Sequence, residues 1–315
     1  MEILVTGGAG FIGSSLVDRL VGRGHQVTVI DDFNDFYDPA IKRGNLAQHG
    51  EKVRVVEADI RDREAVDALF TESNFECVVH LAARAGVRPS IDDPALYLST
   101  NVDGTFHLLE ACRENGVRRF LFASSSSVYG INKKTPFAEG DLIERTISPY
   151  AASKLAGEQL CSNYAHLHGL EVLCMRFFTV YGPRQRPDLA ISKFVRLIDE
   201  GKPIDQYGDG STGRDYTYID DIVDGIEAGL NLPELDFQIV NLGGSHVIRL
   251  HELIKAVEAA MGQKARINQL PEQPGDVPLT SADVSKAHDL LGYKPQVEVL
   301  DGVRRYVEWF RKHLA

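Results

Sequence analysis

Ile3-Leu4-Val5-Thr6-Gly7-Gly8-Ala9-Gly10-Phe11-Ile12-Gly13 stands at the head of the chain, and the amphipathic run Ser14 to Val21 follows at once. An apolar segment, a GxxGxxG turn and a helix in immediate succession predict the first strand, loop and helix of a dinucleotide-binding unit. Glycine is needed where the chain turns tightly, where main chain approaches a pyrophosphate, and where helix packs closely on strand. The helix N-terminus then presents unpaired N–H groups to the anion. Working outward, Val27 to Ile30, Val53 to Val56, Cys77 to Leu81, Phe120 to Ala123 and Val172 to Arg176 repeat the short apolar run, with longer amphipathic stretches between them. This alternation predicts an α/β fold: a Rossmann-type doubly wound parallel sheet over residues 1–178, with a smaller C-terminal α/β domain over 179–315. Beyond Gly182, stretches rich in proline and glycine (183–187, 207–213, 271–278) separate short helical segments and read as lid-like loops. Residues 220–230 and 301–313 read as helices, and some of this second part is expected to return to the first domain.

The composition narrows the setting. With 315 residues, 43% hydrophobic and 25% charged, the chain fits one or two globular domains. No window approaches the roughly 18 consecutive apolar residues of a membrane helix, and no basic leader precedes the first strand, so a cytoplasmic location is expected. Cys77, Cys112, Cys161 and Cys174 are scattered, without CxxC or histidine pairing. They read as buried apolar residues in a reducing compartment, and no metal site is expected. A net charge of -11 opposes nucleic acid and anionic membranes as partners. A small phosphorylated ligand would then need locally placed arginines.

Asp31 ends the second strand, where a carboxylate can accept both adenosine ribose hydroxyls; with Asp32 beside it a 2′-phosphate is disfavoured, so NAD is expected over NADP. Asp59 reads either as an adenine contact or as the N-cap of a helix over 62–70. Further on, Ser124-Ser125-Ser126-Ser127 follows a strand, and Tyr150-Ala151-Ala152-Ser153-Lys154 places tyrosine and lysine on one helix face. A free phenol is a poor base at neutral pH, but an adjacent ammonium and a positive nicotinamide ring favour its anion. The pair reads as a proton acceptor beside a hydride acceptor.

These stretches, together with His80-Leu81-Ala82-Ala83, Asn101-Val102-Asp103-Gly104-Thr105, Arg176 to Pro183 and Arg214-Asp215-Tyr216, make the chain resemble the extended short-chain dehydrogenase/reductase family over nearly its whole length. More narrowly, it resembles the nucleotide-sugar epimerases and dehydratases. The resemblance implies Tyr150 as base, Lys154 as the residue that binds the nicotinamide ribose and tunes Tyr150, and Ser125 as a hydrogen-bond partner of the reacting sugar oxygen. The cofactor set it implies is Gly7, Gly10, Phe11, Ile12, Gly13, Asp31, Asp32, Asn34, Asp59, Ile60, Leu81, Ala82, Ala83, Asn101, Ser124, Tyr150, Lys154 and Phe177. It also implies a homodimer, through a four-helix bundle of the helices near 94–115 and around Tyr150. Leu96, Leu98, Phe106, Leu108, Leu155, Leu160 and Leu167 would serve such a bundle, or could simply face the sheet.

Oxidation, 4,6-dehydration and 4-epimerisation share this apparatus. The similar dehydratases carry an Asp-Glu pair in the serine turn, to protonate the leaving C6 hydroxyl and remove the C5 proton. Ser126 and Ser127 occupy those places here and cannot do that proton work at neutral pH. Epimerisation is therefore expected. Residues 176–190 and Gln273 to Pro278 look like the UDP-glucuronate 4-epimerases, with Thr179 where neutral-hexose epimerases have asparagine. Ser126, Ser127 and Thr179 would form a hydroxyl cluster for a carboxylate. Arg214 resembles the family's diphosphate-binding arginine; Arg186 is a second candidate, replacing an arginine absent at Gln273, and Asp276 would hold the uridine ribose. The readings kept beside uronate epimerisation are a neutral UDP-hexose or N-acetylhexosamine 4-epimerase, a UDP-glucuronate decarboxylase, and a non-catalytic NAD-binding regulator.

Overall fold

The computed structural model describes residues 1–244, 246–271 and 278–314. Its strands are β1 (Glu2–Thr6), β2 (Gln26–Asp31), β3 (Val53–Glu57), β4 (Cys77–His80), β5 (Arg119–Ser125), β6 (Glu171–Phe177), β7 (Thr179–Tyr181), β8 (Ile204–Tyr207), β9 (Gly213–Tyr218), β10 (Phe237–Leu242), β11 (Val247–Arg249) and β12 (Ile267–Leu270). The chain divides into two compact units. The first comprises Met1–Asn132, Glu139–Phe177 and Val223–Val240; the second comprises Lys133–Ala138, Phe178–Ile222 and Asn241–Ala315.

The first unit is built on a seven-stranded sheet in the order β10-β6-β5-β4-β1-β2-β3, with β1 to β6 pairing in parallel. Residues 3–5 of β1 and 120–122 of β5 are fully buried. Such continuous apolar runs are what a parallel sheet covered on both faces requires. Strand order reverses between β1 and β4, which opens a crevice at their carboxyl ends. Each of the six anticipated strands forms, within two residues of its expected ends. β10 was not anticipated: it joins beside β6 from a distant part of the sequence, and Phe237 and Ile239 pack on the main apolar cluster. The first helix runs Phe11–Gly22, beginning three residues before the expected start because Gly10 itself serves as N-cap.

Two helices of this unit bear on the site. Pro149–His168 starts at Ser148, whose hydroxyl accepts the Ala151 N–H (3.1 Å), and stops at left-handed Gly169. Gly157 lets it lie close on β5, since a Cβ there would stand 2.4 Å from the Phe122 ring. Arg63–Thr71 is capped by Asp62, not Asp59. Of the leucines and phenylalanine considered for a bundle, Leu108 faces the core, whereas Leu98, Phe106 and Leu167 face solvent. All four cysteines are buried and unpaired.

The second unit holds a three-stranded sheet, β11-β9-β7, and the pair β12-β8. Asp215 of β9 is fully buried, and its carboxylate accepts the N–H groups of Gly244 (2.6 Å) and Ala282 (2.9 Å). Val299–His313 buries Val299, Val303, Tyr306, Val307 and Phe310, the three- and four-residue spacing of one helix face. No helix among the described residues is long and apolar enough to cross a membrane.

Candidate active site

The glycine turn between β1 and the first helix is compressed on two sides. A Cβ on Gly7 would meet the Ala82 nitrogen at 2.7 Å, and one on Gly13 would meet the Gly7 carbonyl oxygen at 2.2 Å. Gly10 is different: a Cβ there would find only the Gly7 oxygen, at 3.3 Å, with open space beyond. The amides of Phe11, Ile12 and Gly13 have no acceptor within their own helix, and no acidic residue fills that first turn. The cradle is therefore open, bare of side chains and lined by donors, which suits a pyrophosphate.

Ala82 is fixed by a relay behind it. Thr105 donates to the Asn101 carbonyl (2.6 Å), so its oxygen accepts from His80 Nε2 (2.9 Å). His80 Nδ1 then accepts from Thr6 Oγ1 (2.7 Å), which itself receives the Ala82 N–H at 3.0 Å. Burial keeps His80 neutral by lowering its pKa well below the usual value, which this single-tautomer relay requires.

Asp31 is buried at the end of β2, and each carboxylate oxygen accepts one backbone N–H, from Ala9 (3.1 Å) and Phe33 (3.0 Å). Further lone pairs remain for ribose hydroxyls. Its pKa is raised, by burial first, against these bonds and the Lys42 charge. Asp32 binds the Asn34 backbone and side-chain nitrogens. Leu81 and Ala83 flank Ala82 in the half-buried segment after β4.

Several expected cofactor contacts are otherwise engaged. Asp59 is held by a bidentate Arg61; burial would raise its pKa, but Arg61 brings it below the usual range. Ile60 turns inward against Gly104, and its carbonyl oxygen is met by His107 Nδ1. Asn101 is 1% exposed and spends its amide on the main chain of Arg84 and the Ser153 hydroxyl, so it shapes the loop after β4 without reaching outward. The Ser124 hydroxyl goes to Glu158 (2.5 Å), leaving only its backbone to offer. Phe177 is the buried last residue of β6.

At the end of β5, the Ser125 oxygen accepts the Ser127 N–H (3.1 Å), capping a short 3-10 turn over Ser126–Tyr129. Its own O–H remains a donor. Tyr150 and Lys154 lie one turn apart in the helix Pro149–His168, and the Tyr150 ring packs edge-on to Tyr97 at 6.2 Å between centroids. The Lys154 ammonium donates to the Ala123 carbonyl (2.8 Å) and lies over the Phe122 ring. Burial lowers its pKa to about 8, against the attraction of neighbouring groups that include Glu158. Glu158, Arg176 and Tyr97 were not singled out from sequence. A charged residue four places after Lys154 on the same buried helix face was the available signal for Glu158.

In the second unit, Thr179 of β7 stands in register with Tyr216 of β9, and Arg214 lies two residues earlier on that face. Arg214 is half-buried and donates to the Gly213 carbonyl. Arg186, the other expected diphosphate ligand, is bound bidentately by the exposed Asp188 (3.0 and 2.8 Å). Asp276 lies outside the described residues, as do Gln273 and its neighbours.

A strand-order reversal above an open glycine cradle, with serine, tyrosine and lysine at the ends of β5 and its covering helix, defines a nucleotide-cofactor enzyme of the extended short-chain dehydrogenase/reductase type. The model of the GDP-mannose 4,6-dehydratase family matches residues 4–306, and the chain belongs to that family. The UDP-glucuronate 4-epimerase of Thermodesulfobacterium geofontis is 40% identical over 99% of this chain and 96% of its own length. The crystal structure of UDP-glucuronic acid 4-epimerase from Bacillus cereus, in complex with UDP-glucuronic acid and NAD, superposes with a TM-score of 0.93 at 36% identity, covering 99% of both chains. A UDP-glucose 4-epimerase from Thermotoga maritima, with UDP-glucose, also reaches 0.93, at 34% identity over the whole of both chains.

Proposed function

We propose that this protein is an NAD-dependent isomerase that inverts C4 of UDP-glucuronate, through a 4-keto sugar, to give UDP-galacturonate. The glycine turn and Asp31 would hold NAD, which would supply the acceptor and donor of the C4 hydride. Tyr150 takes the O4 proton and gives it back, Lys154 favours the phenolate by its charge, and the Ser125 hydroxyl donates to the sugar oxygen. The observation that carries the reading is the serine turn. Within a family named for dehydration, the positions after Ser125 hold Ser126 and Ser127, and no carboxylate stands there to expel the C6 hydroxyl.

Oxidation at C4 of a uronate creates a β-keto acid, which loses CO2 when its carboxylate bond aligns with the ketone π system. Ser126, Ser127 and Thr179 are assigned to the carboxylate, holding it out of that alignment with charge-assisted hydrogen bonds. Arg214 is assigned to the diphosphate and Asp276 to the uridine ribose. We place the enzyme in the cytoplasm as a homodimer, with the exposed Leu98, Phe106 and Leu167 as the apolar contribution of its helices.

The test is separate incubation with UDP-glucuronate, UDP-glucose and UDP-N-acetylglucosamine, with chromatography of the products. UDP-galacturonate from the first substrate alone is expected. UDP-xylose, or conversion of a neutral sugar in preference, would overturn the assignment. Thr179→Asn should erode the preference for the uronate; unchanged selectivity would remove Thr179 from the carboxylate site.

A further inference from the structure

We infer that Glu158, clasped by Arg176, is a positioning residue for the reaction, holding the serine turn and Lys154 in their working geometry; this rests on the epimerase reading above. Glu158 lies one helical turn beyond Lys154 and is 0% exposed, while the Arg176 side chain is 3% exposed. Its Oε1 accepts both the Ser124 hydroxyl (2.5 Å) and Arg176 Nε (2.9 Å), and its Oε2 accepts Arg176 Nη2 at 2.7 Å. The same guanidinium lies 4.8 Å from the centre of the Tyr129 ring. Ser124 and Tyr129 bracket the turn that Ser125 caps. One carboxylate therefore grips the turn at both ends, directly through Ser124 and through Arg176 at Tyr129.

Stability alone does not account for such a pair. A buried ion pair roughly breaks even against well-packed apolar residues of similar volume, because desolvation of both charges offsets their attraction. What an apolar pair could not supply is an acceptor for Ser124 and negative charge near Lys154. Facing Glu158 are Ser124 on β5, Arg176 and Cys174 on β6, and Lys154 on its own helix; Tyr129 in the turn faces Arg176, and Cys161 and neutral His80 face Lys154. Arg176 is kept protonated by Glu158 in spite of its burial. Removing the carboxylate charge takes from Arg176 its bidentate partner and from Lys154 one of the neighbours that raise its pKa.

Three variants decide the matter: E158Q, S124A and the apolar pair E158L/R176M. Melting temperature, kcat and KM for UDP-glucuronate are measured for each, with an NMR titration of the Lys154 amine in NAD-free protein. The apolar pair should melt near the wild-type temperature yet lose on the order of 10- to 100-fold in kcat, with KM little changed, as expected when a catalytic group is displaced by a fraction of an ångström. S124A should lower kcat and leave the Lys154 titration in place. E158Q should shift that titration to lower pH and move the alkaline limb of the kcat profile with it. Wild-type kcat in a normally melting E158L/R176M protein, or a Lys154 titration unmoved by E158Q, overturns the inference. If the wild-type enzyme itself turns over no UDP-glucuronate, the epimerase reading has failed, and the Lys154 titration still decides the role of Glu158.

Discussion

Alanine at four glycines, Gly10, Gly13 and Gly22 of the first helix and its turn and Gly44 of the next helix, should separate folding from cofactor binding. A Cβ at Gly13 would stand 2.2 Å from the Gly7 oxygen and 2.7 Å from the Gly8 Cα, all main chain, where contacts under 3.0 Å do not occur. Helix and turn must part by roughly 0.8 Å, and overpacking of this kind costs about 1–3 kcal/mol. The better helix propensity of alanine returns at most ~1 kcal/mol. The clash wins. Gly13→Ala should lose about 1–2 kcal/mol, a fall of roughly 2–8 °C in Tm for a chain this large, and should weaken NAD about 10-fold as the amides move. At Gly10 the nearest atom is 3.3 Å away, so Gly10→Ala should fold almost normally while its methyl fills the cradle, weakening NAD by about 10-fold or more. Gly22→Ala and Gly44→Ala, with nothing within 4 Å of the added carbon, should be neutral or stabilising by up to ~1 kcal/mol. Calorimetric melting and NAD titration of the four variants test this. A Gly13→Ala protein with wild-type Tm and Kd, or a Gly10→Ala protein that binds NAD normally, would refute the reasoning.

Lys154 makes a pH-dependent prediction. Its pKa falls from 10.5 in the open chain to about 8 when buried, so the fold binds fewer protons than the unfolded chain between those values. The ammonium costs stability in full below about pH 8, on the order of 3 kcal/mol, and the cost fades as pH rises toward 10.5. Lys154→Met should therefore be more stable than wild type at pH 7, less about 1 kcal/mol for the lost bond to Ala123, and inactive. Denaturant unfolding of NAD-free protein should show that advantage shrinking by pH 10; a gap independent of pH would contradict the burial argument. Arg214→Met should raise KM for the UDP-sugar by about 10-fold or more with kcat little changed, whereas Arg186→Met, whose charge Asp188 already takes, should change KM less than 3-fold, or roughly half a kcal/mol. Equal effects in steady-state kinetics would restore Arg186 to the diphosphate. Tyr150→Phe should cut kcat by on the order of 100-fold or more while NAD stays bound; retained turnover would exclude Tyr150 as the base.

The parts of this protein that depend on neighbours in sequence were legible in the chain itself. Six strands, the glycine turn and the spacing of Tyr150 and Lys154 follow from side-chain periodicity and from helix geometry, which act over a few residues. What the chain did not disclose depends on groups far apart in sequence. β10 joins beside β6, because exposed strand edges are closed by whichever segment packing brings there. Asp62 rather than Asp59 caps its helix, because the helix begins at Arg63 and the Asp62 carboxylate accepts the Ala65 N–H. The side chains of Ser124, Asn101 and Ile60, near the cofactor stretch in sequence, are engaged inside the fold. Sequence alone determined the class of fold and nominated Ser125, Tyr150 and Lys154 as the reacting groups, because local propensity and chemical type are properties of residues. Only tertiary structure decided which side chains are engaged inside the fold, and that Glu158 and Arg176 share a buried site, because burial drives most polar groups to partners that the packed chain brings from far along the sequence.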